Sequence, residues 1–342
     1  MNMPEAIAQV IAGEDLTREE MLIVMRLIMT GQATDAQIGG FLIGLRLKGE
    51  SVDEIVAAAS IMRELATPVS VQRENIVDTC GTGGSGSNKF NVSTASAIVA
   101  AAAGAAIAKH GNRAASSKSG SADVLEAAGA EIMLTAEQVG RCVDTVGVGF
   151  LFALNHHSAM KHAIGPRKEM VVRTMFNLLG PLTNPAGAKR QVLGVYSRQW
   201  VRPIAEVLKA LGSEHVLVLH SEDGLDEISI AGATHVAELK AGQITEYQIS
   251  PADFDIRQQS LSSLVIEDAK GSLELINAAL KSEHEAAMDI ISLNAGAAIY
   301  VSGVCADLSA GVKMAQDAIG SGLAREKLSD FVDFTQNLKA TS

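Results

Sequence analysis

The sequence predicts an α/β protein in which a small N-terminal helical domain precedes a larger α/β domain with a mostly parallel central sheet flanked by helices. Three observations predict it. Residues 1–66 show only helix-start signals and helical apolar spacing. From Ile76 onward, short apolar runs alternate with glycine-rich turns and helical stretches, the rhythm of an α/β domain. A chain of 342 residues also has room for about two domains at roughly 150 residues each. The boundary falls near residue 70, giving a helical domain over 1–70 and an α/β domain over 71–342.

The helical part reads as four helices. Three open with a Ser or Thr followed three residues later by Glu or Gln: Thr17 with Glu20, Thr34 with Gln37, and Ser51 with Glu54. In this arrangement each side chain accepts from the other residue's backbone N–H, so two otherwise unpaired donors are satisfied. Behind Thr17, the residues Met21, Leu22, Val24, Met25, Leu27, Ile28 and Met29 keep helical spacing, and Ile38, Phe41, Leu42 and Leu45 repeat it. Pro68 closes the unit. Beyond it, strands are expected over 75–80, 105–109, 148–152, 191–196 and 215–220, with helical stretches between most of them. Runs 234–239 and 243–249, joined at Ala241-Gly242, predict a hairpin at or near a sheet edge. The last third returns to helices, one of them over 285–299, and no internal repeat is present.

Composition removes several function classes. Lys and Arg total 28 against 39 Asp and Glu, a net charge of −11, which repels a polyphosphate backbone and argues against nucleic acid as the main partner. Aromatics reach only 4% while glycines number 31, a bias toward close backbone packing and tight turns rather than base stacking. Residues 1–13 carry no Lys or Arg, and the longest apolar run, 97–108, falls short of the roughly 18 residues of a spanning helix. Neither an export signal nor a membrane association is expected. The three cysteines, Cys80, Cys142 and Cys305, form no CxxC pair, so a disulfide framework and a cysteine zinc site are disfavoured and a reducing cytoplasm is expected.

Four segments carry chemistry. The first runs from Asp78 through GTGG (81–84) to Thr94, between an expected strand and an expected helix, where glycines bring backbone N–H groups close to a phosphate. Gly81, Gly83 and Gly86 match G-x-G-x-x-G, but no acidic residue follows some 20 positions later, which weakens a nicotinamide reading. Ser87 instead of Lys follows Gly86, so the P-loop signature fails too. The second segment, KHGNRAASSKSGSADVLE (109–126), packs three cations and four serines ahead of a helix, as an anion-binding loop does; read blandly, it is a surface loop with Ser121 as helix cap. In an open α/β sheet, two such loops after successive strands gather at one crevice.

The third segment ends in Asp226-Glu227, adjacent carboxylates just after a strand, a donor pair suited to Mg²⁺ but also found on ordinary solvated turns. The fourth, HHSAMKH (156–162) with PRKE (166–169), puts His157 and Lys161 at i, i+4 on one expected helical face. His156, His157 and His162 carry no carboxylate at zinc spacing. Arg167, directly after Pro166 at an expected helix start, offers a planar fork to a carboxylate.

Together GTGG, FNVST, KHGNRAASSKSGSADVLE, HHSAMKH, PRKE, FNLLGPLTNP and DGLDE, in that order over nearly the whole chain, resemble the anthranilate phosphoribosyltransferase family. The resemblance implies Mg²⁺-dependent transfer of a phosphoribosyl group from phosphoribosyl pyrophosphate to anthranilate, in tryptophan biosynthesis. It also implies a homodimer whose helical domain is hinged to the α/β domain and rejoined by a segment near 165–185.

By the same resemblance the donor contacts Gly81, Gly84, Ser85, Lys89, Asn91, Val92, Ser93 and Thr94. The following loop adds Lys109, His110, Gly111, Asn112, Arg113, Ala114, Ala115, Ser116 and Ser117, with Ser121 beside them. Anthranilate meets Gly81, Asn112 and Arg167, and His110, His157 and Pro181 line its approach. Ser93, Asp226 and Glu227 hold two Mg²⁺ ions. Ser85 stands where the family commonly has Asp, and Lys89 where a hydroxyl residue is usual, so the pyrophosphate pocket is expected to be locally more positive.

The chemistry agrees with these residue types. Cleavage at ribose C1 leaves negative charge on pyrophosphate, which cations stabilise, and an aromatic amine is already unprotonated near neutral pH and needs no strong base before attack. No residue is therefore assigned as general acid or base. Two alternatives share the fold: a nucleoside phosphorylase, disfavoured by Arg167, Asn112 and LGPLTNP, and a non-catalytic nucleic-acid binder, which should be basic and lack Asp226-Glu227.

Overall fold

The computed structural model describes residues 1–84, 86–114 and 117–340. Its N-terminal part is the helices α1 (Met3–Ile11), α2 (Arg18–Met29), α3 (Asp35–Lys48) and α4 (Val52–Glu64). Thr17, Thr34 and Ser51 cap α2, α3 and α4 with the expected reciprocal hydrogen bonds. A fourth such cap, Asn2 with Glu5, starts α1. The Ser/Thr pattern does not reveal it, because an Asx residue takes the capping position.

Glu54 does more than cap. Its carboxylate is fully buried, accepts from Leu16 N (3.0 Å) and Ser51 N (2.7 Å), and pairs with the Lys48 ammonium at 2.9 Å, so every oxygen that burial removes from water has a donor.

The remainder is β1 (Val77–Asp78), α5 (Val92–Ala102), β2 (Ile107–Gly111), α6 (Ser121–Ala127), α7 (Ala136–Val146), β3 (Val148–Phe152), α8 (Ala153–His156), α9 (Lys161–Met170), α10 (Phe176–Leu179), β4 (Arg190–Gly194), α11 (Val201–Ala210), β5 (His215–Ser221), β6 (Thr234–Lys240), β7 (Gln243–Ile249), α12 (Ala269–Leu280), α13 (Glu285–Ser302), α14 (Leu308–Gly320) and α15 (Leu323–Ala340). The sheet order is β3-β2-β1-β4-β5-β6-β7. The first five strands are mutually parallel, and β6 and β7 continue antiparallel as the expected hairpin, with β7 on the edge. Strand β1 is shorter than the predicted 75–80, since Asn75 turns at φ 53° before it and the glycine turn begins soon after.

Both sheet faces are covered, and alternation assigns them. Val192, Leu217 and Leu219 face a core built from α5, α6 and α12–α15, while Leu193, Val195, Val216 and Val218 face one built from α1–α4 and α11. Phe176, Leu178, Leu179 and Leu182 lie in this second core, and α9 packs against α2 and α3. In the first core, α13 and α14 approach backbone to backbone. A Cβ on Gly311 would sit 2.3 Å from the Gly296 carbonyl oxygen, so this contact requires glycine.

Two further local expectations fail. Pro166 lies inside α9, not at its start, because the helix begins at Lys161, so Arg167 comes from the helix's second half. His157 (φ −116°, ψ 58°) ends α8 and breaks the helix before α9, so His157 and Lys161 share no continuous helical face.

Candidate active site at the carboxyl ends of the parallel strands

Strand order reverses between β1 and β4, the position where an open α/β sheet leaves a crevice beyond its carboxyl ends. The glycine turn after β1 crosses this point. Thr82 N donates to the Gly194 carbonyl at 2.8 Å, and Gly83 N donates to Asp226 Oδ2 at 2.7 Å. Gly83 and Gly84 take φ 65° and 80°, backbone that suits residues without a Cβ. The whole arrangement depends on small residues. A Cβ on Gly81 would come within 2.8 Å of Asp226 Oδ2, and one on Gly194 would overlap the Asp226 carbonyl oxygen at 1.6 Å.

The acidic pair is held from behind. Asn294 on α13 accepts from Ile228 N and donates to the Ile228 carbonyl, both at 2.9 Å, and Ser221 Oγ donates to the Glu227 carbonyl at 2.6 Å. Burial raises both carboxyl groups, and with the Asp226 charge beside it Glu227 is pushed up to about 8. Two crowded carboxylates that resist ionising together are an electrostatic demand for a cation. Their hard oxygen donors, with the Ser93 hydroxyl in the same recess, fit Mg²⁺.

Lys109 in the middle of β2 is buried, and its ammonium donates to the Thr79 carbonyl (2.7 Å) and to Ser93 Oγ (3.3 Å). Burial lowers its pKa, against which the neighbouring acids act. Thr94, in the first turn of α5, is buried and its hydroxyl has no hydrogen-bond partner among the described residues. A helix start with an unsatisfied hydroxyl suits an anion.

Other predicted donor contacts are engaged within the protein. Asn91 Oδ1 accepts from Ser119 Oγ and Ser272 Oγ, each at 2.7 Å, while its Nδ2 donates to the Ser119 carbonyl. The Arg113 guanidinium binds Glu126 and Asp123 of α6. Gly120, not Ser121, caps α6, and Asp123 supplies the carboxylate that accepts from Gly120 N and Ala114 N. Gly111 is crowded by Phe150 and Ser121, leaving no space for a side chain. The backbone of Lys89 bridges to Val265 three residues before α5, whose first residue, Val92, is buried. Asn112 Oδ1 accepts from Arg113 N at 2.8 Å, and Ser117 Oγ donates to the Ser119 carbonyl at 3.2 Å. Ser85, Ala115 and Ser116 lie outside the described residues.

His110 and His157 form a buried pair with ring centroids 5.1 Å apart, and Pro181 sits buried in the turn after α10. Burial, with the neighbouring histidines, lowers both imidazoles, His157 to about 4. They are neutral at neutral pH. Arg167 lies over the Phe176 ring at 5.1 Å, and among the described residues no carboxylate pairs with it. Partial burial lowers its pKa, so a half-buried guanidinium without an anion among the described residues stands near a neutral, partly aromatic wall.

Sequence reasoning missed Asp78, Asn184, Gly194, Asn294 and Arg173. Asp78 is fully buried, accepts from His110 N (3.0 Å) and Asn184 Nδ2 (2.8 Å), and is raised by burial to about 6. Asp78, Cys80 and His110 bring potential ligand atoms within 4.8 Å. That cluster makes a poor metal site, because Asp78 is already hydrogen-bonded and burial keeps the Cys80 thiol protonated. A hollow of about 380 Å³, lined by Arg73, Asn75, Gly104 and Gly303, lies at the opposite ends of the strands, away from these groups.

The fold and site define a transferase of sugar groups. Residues 73–325 match the α/β domain of the glycosyl transferase family and residues 4–66 match its helical bundle domain, and the chain belongs to this family. Within it, the chain is 62% identical over 338 residues to the anthranilate phosphoribosyltransferase of Marinomonas sp. (strain MWYL1), covering 98% of each, and 60% identical over 343 residues to that of Cellvibrio japonicus (strain Ueda107), covering 99% and 100%. Among solved structures, the anthranilate phosphoribosyltransferase of Thermus thermophilus superposes with a TM-score of 0.91 at 42% identity, covering 97% of this chain and 99% of that one. The Saccharomyces cerevisiae enzyme in complex with PRPP and Mg gives 0.87 at 26% identity, covering 98% of each. No helix among the described residues is long and apolar enough to cross a membrane.

Proposed function

We propose that this chain transfers the 5-phosphoribosyl group from phosphoribosyl pyrophosphate to the amine of anthranilate, releasing pyrophosphate and N-(5-phosphoribosyl)anthranilate, the second step of tryptophan biosynthesis from chorismate. One observation carries this reading. The hydrogen bond from Gly83 N to Asp226 Oδ2 joins a phosphate-type glycine turn to a cation-type acidic pair, so both belong to one site. A nicotinamide site needs no such acids, and a nucleic-acid surface on a chain of net charge −11 has no use for them.

Asp226, Glu227 and Ser93 would hold Mg²⁺, two ions in our reading, and the metal when bound neutralises charge on the departing pyrophosphate. Lys109 adds a fixed cation at Ser93, and the Thr94 hydroxyl offers a donor to the phosphates. The other described loop residues from Gly81 to Ser121 act through their backbone and by holding the loops. Arg167 takes the anthranilate carboxylate, with Asn112 beside it, and the neutral imidazoles of His110 and His157 line the approach with Pro181 without repelling an amine. Positioning supplies the rest, since the attacking amine is already unprotonated.

The segment carrying α9 and α10 packs with the helical bundle, which supports a hinge between that unit and the sheet. Ile11 and Leu47, 70% and 82% exposed near the ends of α1 and α3, support pairing with a second copy. The reaction belongs in the cytoplasm in our reading.

The test follows anthranilate fluorescence after phosphoribosyl pyrophosphate is added, first with Mg²⁺ and then with excess chelator. Decay that the chelator stops is expected. Folded protein that leaves anthranilate unconsumed would overturn the reading and direct attention to nucleoside phosphorolysis.

A further inference from the structure

Resting on the transferase reading, we propose that Arg173 is a positioning residue for the phosphoribosyl donor, fixing the glycine turn against the helical bundle. Arg173 lies in the strap between α9 and α10. Its guanidinium Nη2 donates to the Gly84 carbonyl, and its guanidinium carbon lies 4.5 Å from the centroid of the Tyr196 ring. Its own carbonyl accepts from Arg46 Nη1 on α3 at 2.7 Å. One residue thus ties together the turn after β1, the chain after β4 and the helical bundle.

The tie is specific to guanidinium chemistry. A planar cation can stack on a ring and donate along its edge at once, which an ammonium does not reproduce. Gly84 closes the fit from the other side: a Cβ there would come within 3.2 Å of Arg173 Nη2.

The strap is held under strain. Val171 ends α9 at φ 51°, ψ 31°, a conformation that β-branched residues rarely adopt and that persists only where the surroundings over-determine it. Arg46 and Gly84, gripping Arg173 two residues on, supply that determination.

The test compares wild-type enzyme with Arg173→Gln, Arg173→Lys and Arg46→Gln. Apparent KM is measured for each substrate, and the rise in Tm produced by pyrophosphate with Mg²⁺ is read without turnover. Arg173→Gln should raise the donor KM by about tenfold or more, leave the anthranilate KM within about twofold, shrink the pyrophosphate-induced Tm rise, and regain part of its rate in added guanidinium ion. Arg173→Lys should recover little of the donor KM, and Arg46→Gln should shift it the same way by a smaller factor. An unchanged donor KM and Tm rise in Arg173→Gln, or equal changes in both KM values, would overturn the proposal. If Arg173→Gln fails to fold, the Lys and Arg46 variants decide by the same two readouts. A wild-type enzyme without activity but with a pyrophosphate-induced Tm rise would sink the transferase reading while leaving the Arg173 comparison measurable.

Discussion

Asn184 donates through Nδ2 to Asp78 Oδ2 at 2.8 Å and to the Ala108 carbonyl at 2.8 Å, so one amide from the turn after α10 ties a buried carboxylate on β1 to the backbone of β2. Asp78 in turn orders the next strand's exit, because its other oxygen accepts from His110 N. The ligand loops after β1 and β2 therefore share one buried polar anchor.

Asn184→Ala removes a donor from a carboxylate that burial already raises to about 6. Leaving that oxygen unsatisfied should cost about 1–3 kcal/mol. Urea unfolding at pH 7 measures it, and a midpoint equal to wild type would show that Asp78 finds another donor.

Arg167 is a different case, a half-buried guanidinium with no acidic partner among the described residues. If it takes the substrate carboxylate, Arg167→Ala should raise the apparent KM for anthranilate by about 10- to 100-fold, the worth of a charge-assisted pair, with kcat less affected. Steady-state kinetics at fixed donor concentration give the answer. Anthranilate kinetics equal to wild type would remove the assignment.

At Gly194 a Cβ would lie 1.6 Å from the Asp226 carbonyl oxygen, and the contact is with Asp226 backbone, not with a flexible side chain that can give way. Gly194→Ala must displace the acidic loop or β4. Expected are a loss of more than about 2 kcal/mol in stability and a weaker response to Mg²⁺. Wild-type Mg²⁺ dependence in a folded variant would contradict the packing argument.

Local signals account for what was legible in the chain. Capping pairs at Thr17, Thr34 and Ser51 mark true helix starts because both partners lie three residues apart. The Ala241-Gly242 turn marks a true hairpin for the same reason, its partners being close in sequence. Glycine and serine loops after β1 and β2 pointed to the crevice, since loop composition follows local backbone demands. What stayed hidden depends on partners distant in sequence. Nothing around Arg173 announces Gly84 or Arg46, and nothing in LGPLTNP announces Asp78. The break at His157 was hidden too, because His-Ser-Ala-Met-Lys reads as helix until the chain has to carry His157 into the buried pair with His110.

Glu238 supplies the clearest pH dependence. It lies on β6, where Tyr300 Oη (2.7 Å) and Tyr247 Oη (2.9 Å) donate to its carboxylate and His215 Nε2 lies 2.9 Å away. Burial raises its pKa, but the hydrogen bonds from His215, Tyr300 and Tyr247 outweigh that and bring it down to about 2. The folded value lies below the unfolded one, so the unfolded chain binds more protons in the interval between them. The stabilisation is thus complete above the ordinary glutamate range and is lost as pH falls toward 2. A shift of this size is worth on the order of 2 kcal/mol after allowance for partial solvent access. Glu238→Gln should lower Tm at pH 7 and flatten the fall in Tm between about pH 5 and pH 3 relative to wild type. Parallel Tm curves across that range would show that the network holds together without the charge.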